Sequence, residues 1–553
     1  MSEEKSLSLR QWLILVLTSL ALFLPGFATL PPVDRDEGRY IVTSQRMANT
    51  GDMIDLRYQD EPRYLQPAGI YWLQSIAARV LDPPAYDSVW AYRVPSLLGA
   101  LAAVLLTGLI GARLFGARTG LIAGLLLAAC ASLNFEARIA KTDAMLLASI
   151  VTAQFALLRL YLEPDARSWL AALFWAALGV GLMIKGPIIL IIVAATIAAL
   201  VLWDRNAAWL GRLRPLWGPL LMLAIALPWY ISIGIVSDGE FYNRAIGQSM
   251  VDKIGNSQQG HKGPFGYHLA LFALMFWPGS LLIVHAVQTA WRRRGEPAVR
   301  FLICWAAPMW IVFEFVATKL PHYVLPAYPA LACLCALALS EKQKTGRFGR
   351  VAIVLWSLIW VAATAAVVAI GPLAFQEFED RIPALGLVFS ALTAIAAIAA
   401  LIFVWRRDSA KIMVALTATA LFGIGSLYGY TASGLHSFWL SPRIDAMVRQ
   451  ARPCQNSNLV TTPYSEPSLV FLYGRTRTQV AASGADAADK LAVGDGCDVA
   501  LIGAEQRSEF LASAAARGMQ VQARGEVSGR NYSNGDDLAL TLYSAEQRDN
   551  ERE

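Results

Sequence analysis

The feature that most constrains this chain is its repeated uninterrupted apolar stretches, such as "IILIIVAATIAALVLW" (Ile188 to Trp203) and "LVFSALTAIAAIAALIFVW" (Leu387 to Trp405). A run of about 20 apolar residues spans a hydrocarbon layer of about 30 Å as a helix, which satisfies its backbone internally where no water can. With 56% of its residues hydrophobic and 16% charged, the chain holds more apolar surface than a soluble fold of 553 residues can hide. It reads as an all-α polytopic membrane protein. Thirteen spans are predicted: 11–30, 91–113, 119–135, 143–162, 167–183, 186–203, 215–236, 266–290, 301–317, 322–340, 350–371, 383–405 and 411–431. The first resembles the front of a signal peptide but has no small-residue cleavage site, because "LFLPGFATLPPVDRDE" runs straight into acids, so it is read as a retained helix.

Lysine and arginine placement sets the expected orientation. With the N-terminus cytoplasmic, the basic loops "RLFGAR", "WDRNAAWLGRLR", "WRRRGEPAVR", "EKQKTGRFGR" and "WRRDSAK" all fall inside. Residues 31–90 and everything after about 432 then fall outside, in the periplasm of a bacterial inner membrane. The net charge of +6 is mostly this inside-positive pattern. The outer segment 31–90 runs against it, carrying Arg35, Arg39, Arg46, Arg57, Arg63 and Arg79. Cys130, Cys304, Cys333 and Cys335 lie in apolar runs, whereas Cys454 and Cys497 lie in the polar C-terminal part, where an oxidising compartment allows a bridge.

Two domains are expected: a transmembrane domain over 1–435, including loop 31–90, and an α/β domain over 441–553. In the latter "SNLVTTP", "CDVALIG" and "LALTLYS" read as strands, and "SEPSLVFLYG" and "EQRSEFLASAAARG" as helices. It has no glycine-rich phosphate loop, and no nucleic-acid partner is expected. In the outer loop, "DEGRYIVTSQRMAN" reads as a helix with an acid at its start and Gly51 at its end. "PAGIYWLQSIAARVL" reads as an interfacial helix with Tyr71, Trp72 and Ile76 on one side and Gln74 with Arg79 on another. A second outer segment, 237–265, reads as partly helical and then glycine-rich.

Four polar groups interrupt this apolar chain, all on the expected outer side. Asp34, Asp36 and Glu37 crowd three acids into four residues beside Arg35 and Arg39, and such crowding is where acid strengths are tuned. "KTDAMLL" places Lys141 and Asp143 at the start of a span. "TKLPHYVLP" brings Lys319, His322 and Tyr323 between two apolar runs, with a lysine suited to an anion. "HKGPFGYH" holds His261, Lys262 and His268, a weak metal signal.

In order, "DEGRY" (Asp36 to Tyr40), "RYLQPAGIYWL", "KTDAMLL", "IKGP" (Ile184 to Pro187) and "KLPHYVLP" resemble the motifs of bacterial polyprenyl-phosphate-sugar transferases. These are the ArnT-like GT-C glycosyltransferases, which include lipid A aminoarabinose and galacturonic acid transferases and, more distantly, protein O-mannosyltransferases. The resemblance covers most of residues 1–330. It implies a GT-C fold, a polyprenyl-phosphate sugar donor, a lipid A or lipopolysaccharide-core acceptor, and transfer with inversion on the periplasmic face. It implies Asp36 as the essential carboxylate and Asp143 as a second important acid. Arg63, Lys262 and Lys319 are the candidates to hold the departing phosphate, and Glu37, Arg39, Tyr40, Lys141, His261 and Tyr323 are further substrate-binding candidates; Arg39 is expected to keep Asp36 ionised. Glu37 and His261 are the candidate ligands for a divalent metal. Where aminoarabinose transferases carry a Glu-Lys pair before the proline, this chain has Leu65 and Gln66, which counts against both a metal and that sugar. The alternative is an enzyme of the same donor class that glycosylates a protein or another envelope glycan.

Overall fold

The computed structural model describes residues 6–245, 247, 263–341, 346–494 and 496–546. Among them, nine helices are long and apolar enough to cross a membrane, and a bent pair, Tyr267–Met275 with Gly279–Arg292, makes a tenth. Three shorter apolar helices, Leu9–Phe23, Ala117–Ala129 and Ile188–Asp204, account for the rest of the thirteen runs. The protein is thus a multi-span helical membrane protein.

The helices that build the site are α1 (Leu9–Phe23), α2 (Asp36–Thr50), α3 (Gly69–Leu81), α4 (Val89–Phe115), α5 (Ala117–Ala129), α6 (Ala131–Glu136), α7 (Asp143–Leu162) and α8 (Ser168–Lys185). Two expected spans are shorter than their apolar runs for local reasons. α1 stops before Pro25, and Gly26 (φ 80°) turns the chain. Two buried arginines tie down that turn: Arg138 donates to Pro25 O at 2.7 Å, and Arg93 donates to Phe27 O and Leu30 O at 2.9 Å each. The run 119–135 breaks at Cys130, whose backbone is extended, so α6 starts anew.

The bent pair turns through 112°. Its freed carbonyls are met by indoles of the long helix Arg347–Glu379: Trp360 donates to Pro278 O at 3.0 Å and Trp356 to Ser280 O at 2.7 Å. A broken helix at membrane depth persists only with such partners.

Loop 31–90 packs between the bundle and the C-terminal domain. α2 ends as expected, with Gly51 left-handed (φ 78°) and its N–H on Met47 O. No side chain caps its start; Asp36 points into the site instead. α3 departs from the interfacial reading. A 3.6-residue period puts Tyr71, Gln74, Ser75 and Ala78 on one buried face, so Tyr71 turns inward with Gln74, away from exposed Ile76. Ser44 donates to Gln74 at 2.8 Å, and Arg79 donates to the last carbonyls of α2, Ala48 O and Met47 O.

The polar C-terminal part is a small α/β domain with a five-stranded sheet. Its strands are β3 (Leu459–Thr462), β4 (Thr478–Val480), β5 (Val499–Gly503), β6 (Val521–Arg530) and β7 (Asp537–Ala545), in the order β4-β3-β5-β7-β6; β1 (Arg57–Tyr58) and β2 (Glu61–Pro62) form a small hairpin in loop 31–90. β3 pairs in parallel with β4 and β5, and β7 runs antiparallel to β5 and β6. Cys454 and Cys497 form a disulfide, and the other four cysteines are free and buried.

This domain meets the loop through helix Pro467–Tyr473. A Cβ on Gly38 would lie 2.7 Å from Pro467 Cβ and 2.9 Å from Ser468 N, so the glycine of "DEGRY" lets the two backbones touch. Asp34 completes the joint, accepting from Ser468 N at 2.8 Å and Ser468 Oγ at 2.7 Å.

Candidate active site

α7 and α8 form an antiparallel hairpin, so the first residue of α7 stands beside the last of α8. Lys185 Nζ accordingly donates to Asp143 Oδ1 at 2.6 Å. Asp143 Oδ2 lies 4.0 Å from Lys141 Nζ, which in turn lies 3.7 Å from Asp36 Oδ2. Two acids thus alternate with two lysines from the first turn of α2 to the end of α8. Asp36 is the open end of this chain, its side chain 58% exposed, whereas Asp143 is 10% exposed.

Behind Asp143 stand two more groups. His322 Nε2 lies 3.6 Å from Asp143 Oδ1, and its Nδ1 lies 3.6 Å from Glu136 Oε1. On the other side, Arg63 lies over the Tyr40 ring, 5.4 Å from its centre, and donates to Tyr71 Oη at 3.2 Å. Tyr40 in turn donates to Gln66 Oε1 at 2.5 Å. Tyr323 sits in the field of Asp143, Lys141 and Asp36.

The electrostatics divide the acids. Enclosure by the protein works to raise the Asp36 carboxyl, but Lys141, Arg63 and Lys185 outweigh it and hold it below the usual carboxylate range. Those are the cations that keep Asp36 ionised, where the sequence pointed to Arg39; Arg39 lies in the field of Tyr58. Burial likewise opposes the charge on Lys141, yet Glu136, Asp143 and Asp36 raise it above the ordinary lysine value. Glu136 goes the other way, since burial pushes it up to about 7 despite Lys141 and Lys185.

Of the residues singled out in the sequence, Asp36, Lys141, Asp143, His322, Arg63, Tyr40 and Tyr323 come together here. Glu37 does not join them. Its carboxylate accepts from Arg93 Nε at 2.8 Å and a terminal Arg93 nitrogen at 2.9 Å, and from Val33 N and Ala140 N at 2.8 Å each. With both partners' side chains at 0% exposure, Glu37 is a buried joint between α2, α4 and the strand of chain before α7, and its oxygens are not free for a metal or a substrate. Lys319 is turned to Val316 O at 2.8 Å, beside the His268–Glu314 pair rather than in the lysine–acid chain. His261 and Lys262 lie outside the described residues.

Two members of the cluster, Lys185 and Glu136, were not selected from sequence, and His322 was noted there without a role. Lys185 stands in "IKGP" and His322 in "KLPHYVLP", both noted motifs, and Glu136 seven residues before Asp143 in "EARIAKTD".

Comparison with known proteins places this geometry. Residues 8–237 match the family of dolichyl-phosphate-mannose-protein mannosyltransferases. The chain is 28% identical over 313 residues to the undecaprenyl phosphate-alpha-4-amino-4-deoxy-L-arabinose arabinosyl transferase of Erwinia tasmaniensis, covering 54% of each chain. It is 27% identical over 365 residues to the Pseudomonas fluorescens transferase 2 of the same description, covering 65% of this chain and 59% of that one. The chain therefore spans between half and two thirds of the length of these relatives. Its fold superposes on the crystal structure of ArnT from Cupriavidus metallidurans bound to undecaprenyl phosphate, with a TM-score of 0.74 and 19% identity over 97% of this chain and 98% of that one. The bundle, the outer loop and the appended sheet domain share the GT-C architecture of that structure. Within it, the chain is similar to the arabinosyl transferases and, over residues 8–237, to the protein mannosyltransferases.

Proposed function

We propose that this protein transfers a sugar, with inversion at C1, from a polyprenyl phosphate carrier to lipid A or the lipopolysaccharide core at the periplasmic face of a bacterial inner membrane. The observation that carries the reading is the chain Asp36–Lys141–Asp143–Lys185, one exposed carboxylate at the head of two cations held by a buried one. Breaking the bond between C1 and the phosphate oxygen builds positive charge on the sugar and negative charge on the leaving phosphate. Lys141, Lys185 and Arg63 meet the phosphate. Asp36, kept ionised by these same cations, takes the proton of an attacking hydroxyl as the new C1–O bond forms; with a phosphate acceptor it orients the nucleophile and no proton moves. The sugar is an aminoarabinose-like or a uronic acid, and Leu65 with Gln66 favours the acid. Gln66 accepts from Tyr40, and Leu65 is exposed at 44%, so this stretch offers no charge to an amino sugar.

The orientation in this reading rests on the basic loops. Arg113 pairs with Glu163 at 2.8 Å and Arg293 pairs with Glu341 at the end of the bundle away from the site, the end expected to face the cytoplasm. The Cys454–Cys497 bridge suits an oxidising compartment on the other side.

The test is mass spectrometry of lipid A and core oligosaccharide from the host with the gene deleted, then complemented with wild type or Asp36→Asn. One sugar mass lost on deletion and restored by wild type alone supports the reading and names the sugar. An unchanged lipopolysaccharide profile with a lost protein glycan favours the second reading, a protein acceptor, for which the mannosyltransferase match over residues 8–237 speaks.

A further inference from the structure

Glu136 is the one acid of the cluster that the proposed chemistry leaves over. It ends α6 with no exposed surface, and neither carboxylate oxygen has a hydrogen-bond partner among the described residues. A bare carboxylate so placed is strongly disfavoured and needs a proton or a cation. The geometry of His322 separates the two. Its ring stands between two carboxylates, Nδ1 toward Glu136 and Nε2 toward Asp143, each at 3.6 Å. A cation takes only one ring nitrogen, and although one ring nitrogen, one Glu136 oxygen and one Asp143 oxygen lie within 4.8 Å of one another, Asp143 Oδ1 already receives Lys185 at 2.6 Å, so a metal would have to share that carboxylate with an ammonium. A ring that offers a different nitrogen to each acid is arranged for protons.

We propose that Glu136 and His322 form a proton-holding pair behind Asp143, which keeps the pocket one positive charge ahead and so prepares it for the anionic phosphate of the donor. The Glu136 O–H donates to Nδ1, and the Nε2–H donates to Asp143; a shift of several tenths of an ångström closes both contacts to hydrogen-bond range. Both are positioning residues, since neither touches the reacting atoms.

The charge count supports this. With Glu136 protonated, Asp36 and Asp143 face Lys141, Lys185 and Arg63, two negative charges against three positive. A sugar–phosphate–lipid diester carries one negative charge and neutralises the site. With Glu136 ionised the count is even before the donor arrives. The groups facing Glu136 are Lys141, Lys185, Asp143 and Asp36, together with His322 and the Tyr428 hydroxyl. Burial is the largest influence among them and agrees with retention of the proton near neutral pH.

The inference rests on the donor reading above, and the experiment separates the two. The dissociation constant of a polyprenyl methyl phosphate diester, whose single charge does not titrate, is measured on the full-length protein in detergent from about pH 5.5 to about pH 8.5, for wild type and Glu136→Gln, with and without a chelator. Wild type is expected to weaken by up to about tenfold per pH unit above about pH 7, and Glu136→Gln to stay level through that range. A level wild-type profile, or a rise that persists in Glu136→Gln, overturns the pair. So does binding lost to the chelator and restored by a divalent cation, which assigns the acids to a metal. If Glu136→Gln does not fold, the wild-type profile and the chelator arm decide alone. Failure of wild type to bind the diester at any pH overturns the donor reading itself.

Discussion

Glu37 and Asp36 are adjacent acids with opposite expected phenotypes, and Glu37→Ala is the sharper test of the structure. Glu37 accepts four hydrogen bonds, two from Arg93 and one each from Val33 N and Ala140 N. Removing it leaves a guanidinium with no counter-ion in a fully buried site, although three backbone carbonyls, of Phe27, Leu30 and Pro31, still hold its remaining donors. Breaking a buried ion pair from one side costs about 3–5 kcal/mol, and each orphaned N–H adds about 1–3 kcal/mol. A loss of about 5 kcal/mol or more is therefore expected, a large share of a typical stability of about 5–15 kcal/mol. The assay is unfolding of the detergent-solubilised protein, alongside transfer activity on whatever fraction stays folded. Replacing both partners with apolar residues (Glu37→Leu with Arg93→Met) should recover only the part due to the unpaired charge, because Val33 N, Ala140 N and the carbonyls of Phe27, Leu30 and Pro31 then lose their partners as well. A Glu37→Ala protein that unfolds within about 1 kcal/mol of wild type while losing activity would refute this account and return Glu37 to the substrate or metal site.

Asp36→Asn is expected to lower stability only slightly, since its pair with Lys141 is more than half exposed on the Asp36 side, and to lower kcat by about 10²- to 10⁴-fold if the acceptor atom is a hydroxyl, measured with purified donor and acceptor. Lys185→Met removes the 2.6 Å partner of Asp143 and a cation for the phosphate, so donor KM should rise about tenfold or more in the same assay. Asp34 is pushed up to about 6, by burial first, with Glu466 adding to it and Ser468 opposing it. Since its folded value is raised, its stabilising contribution is present below about pH 4 and lost as pH rises through about 6, so thermal midpoints of wild type relative to Asp34→Asn should fall across that window. Opening the Cys454–Cys497 bridge, which spans 43 residues, by Cys454→Ser with Cys497→Ser should cost the C-terminal domain about 4 kcal/mol on the chain-entropy estimate, read by its protease sensitivity.

What the sequence revealed of this protein follows the range over which each property is decided. The spans were legible because hydropathy over about 20 residues is sufficient to set them, and their breaks at Pro25 and Cys130 were less so because the bond partners that tolerate a break come from elsewhere. Asp36, Lys141 and Asp143 announced themselves as charges at the ends of apolar runs. Glu37 looked the same in sequence; only Arg93, 56 residues on and buried in α4, gives it a structural role. Lys185 could have been found by one further step. α7 and α8 are of similar length and joined by a short loop, so a cation ending the second must meet an acid starting the first. The strand β6 was missed because "VQARGEVSGR" is exposed along most of its length and has no apolar face to betray it. The joint of Asp34 with Ser468, across 434 residues, had no local signal beyond a glycine that a Cβ would drive into Pro467. That glycine and that aspartate bracket Asp36, so the C-terminal domain sets the position of the proposed base through two contacts that neither segment predicts alone.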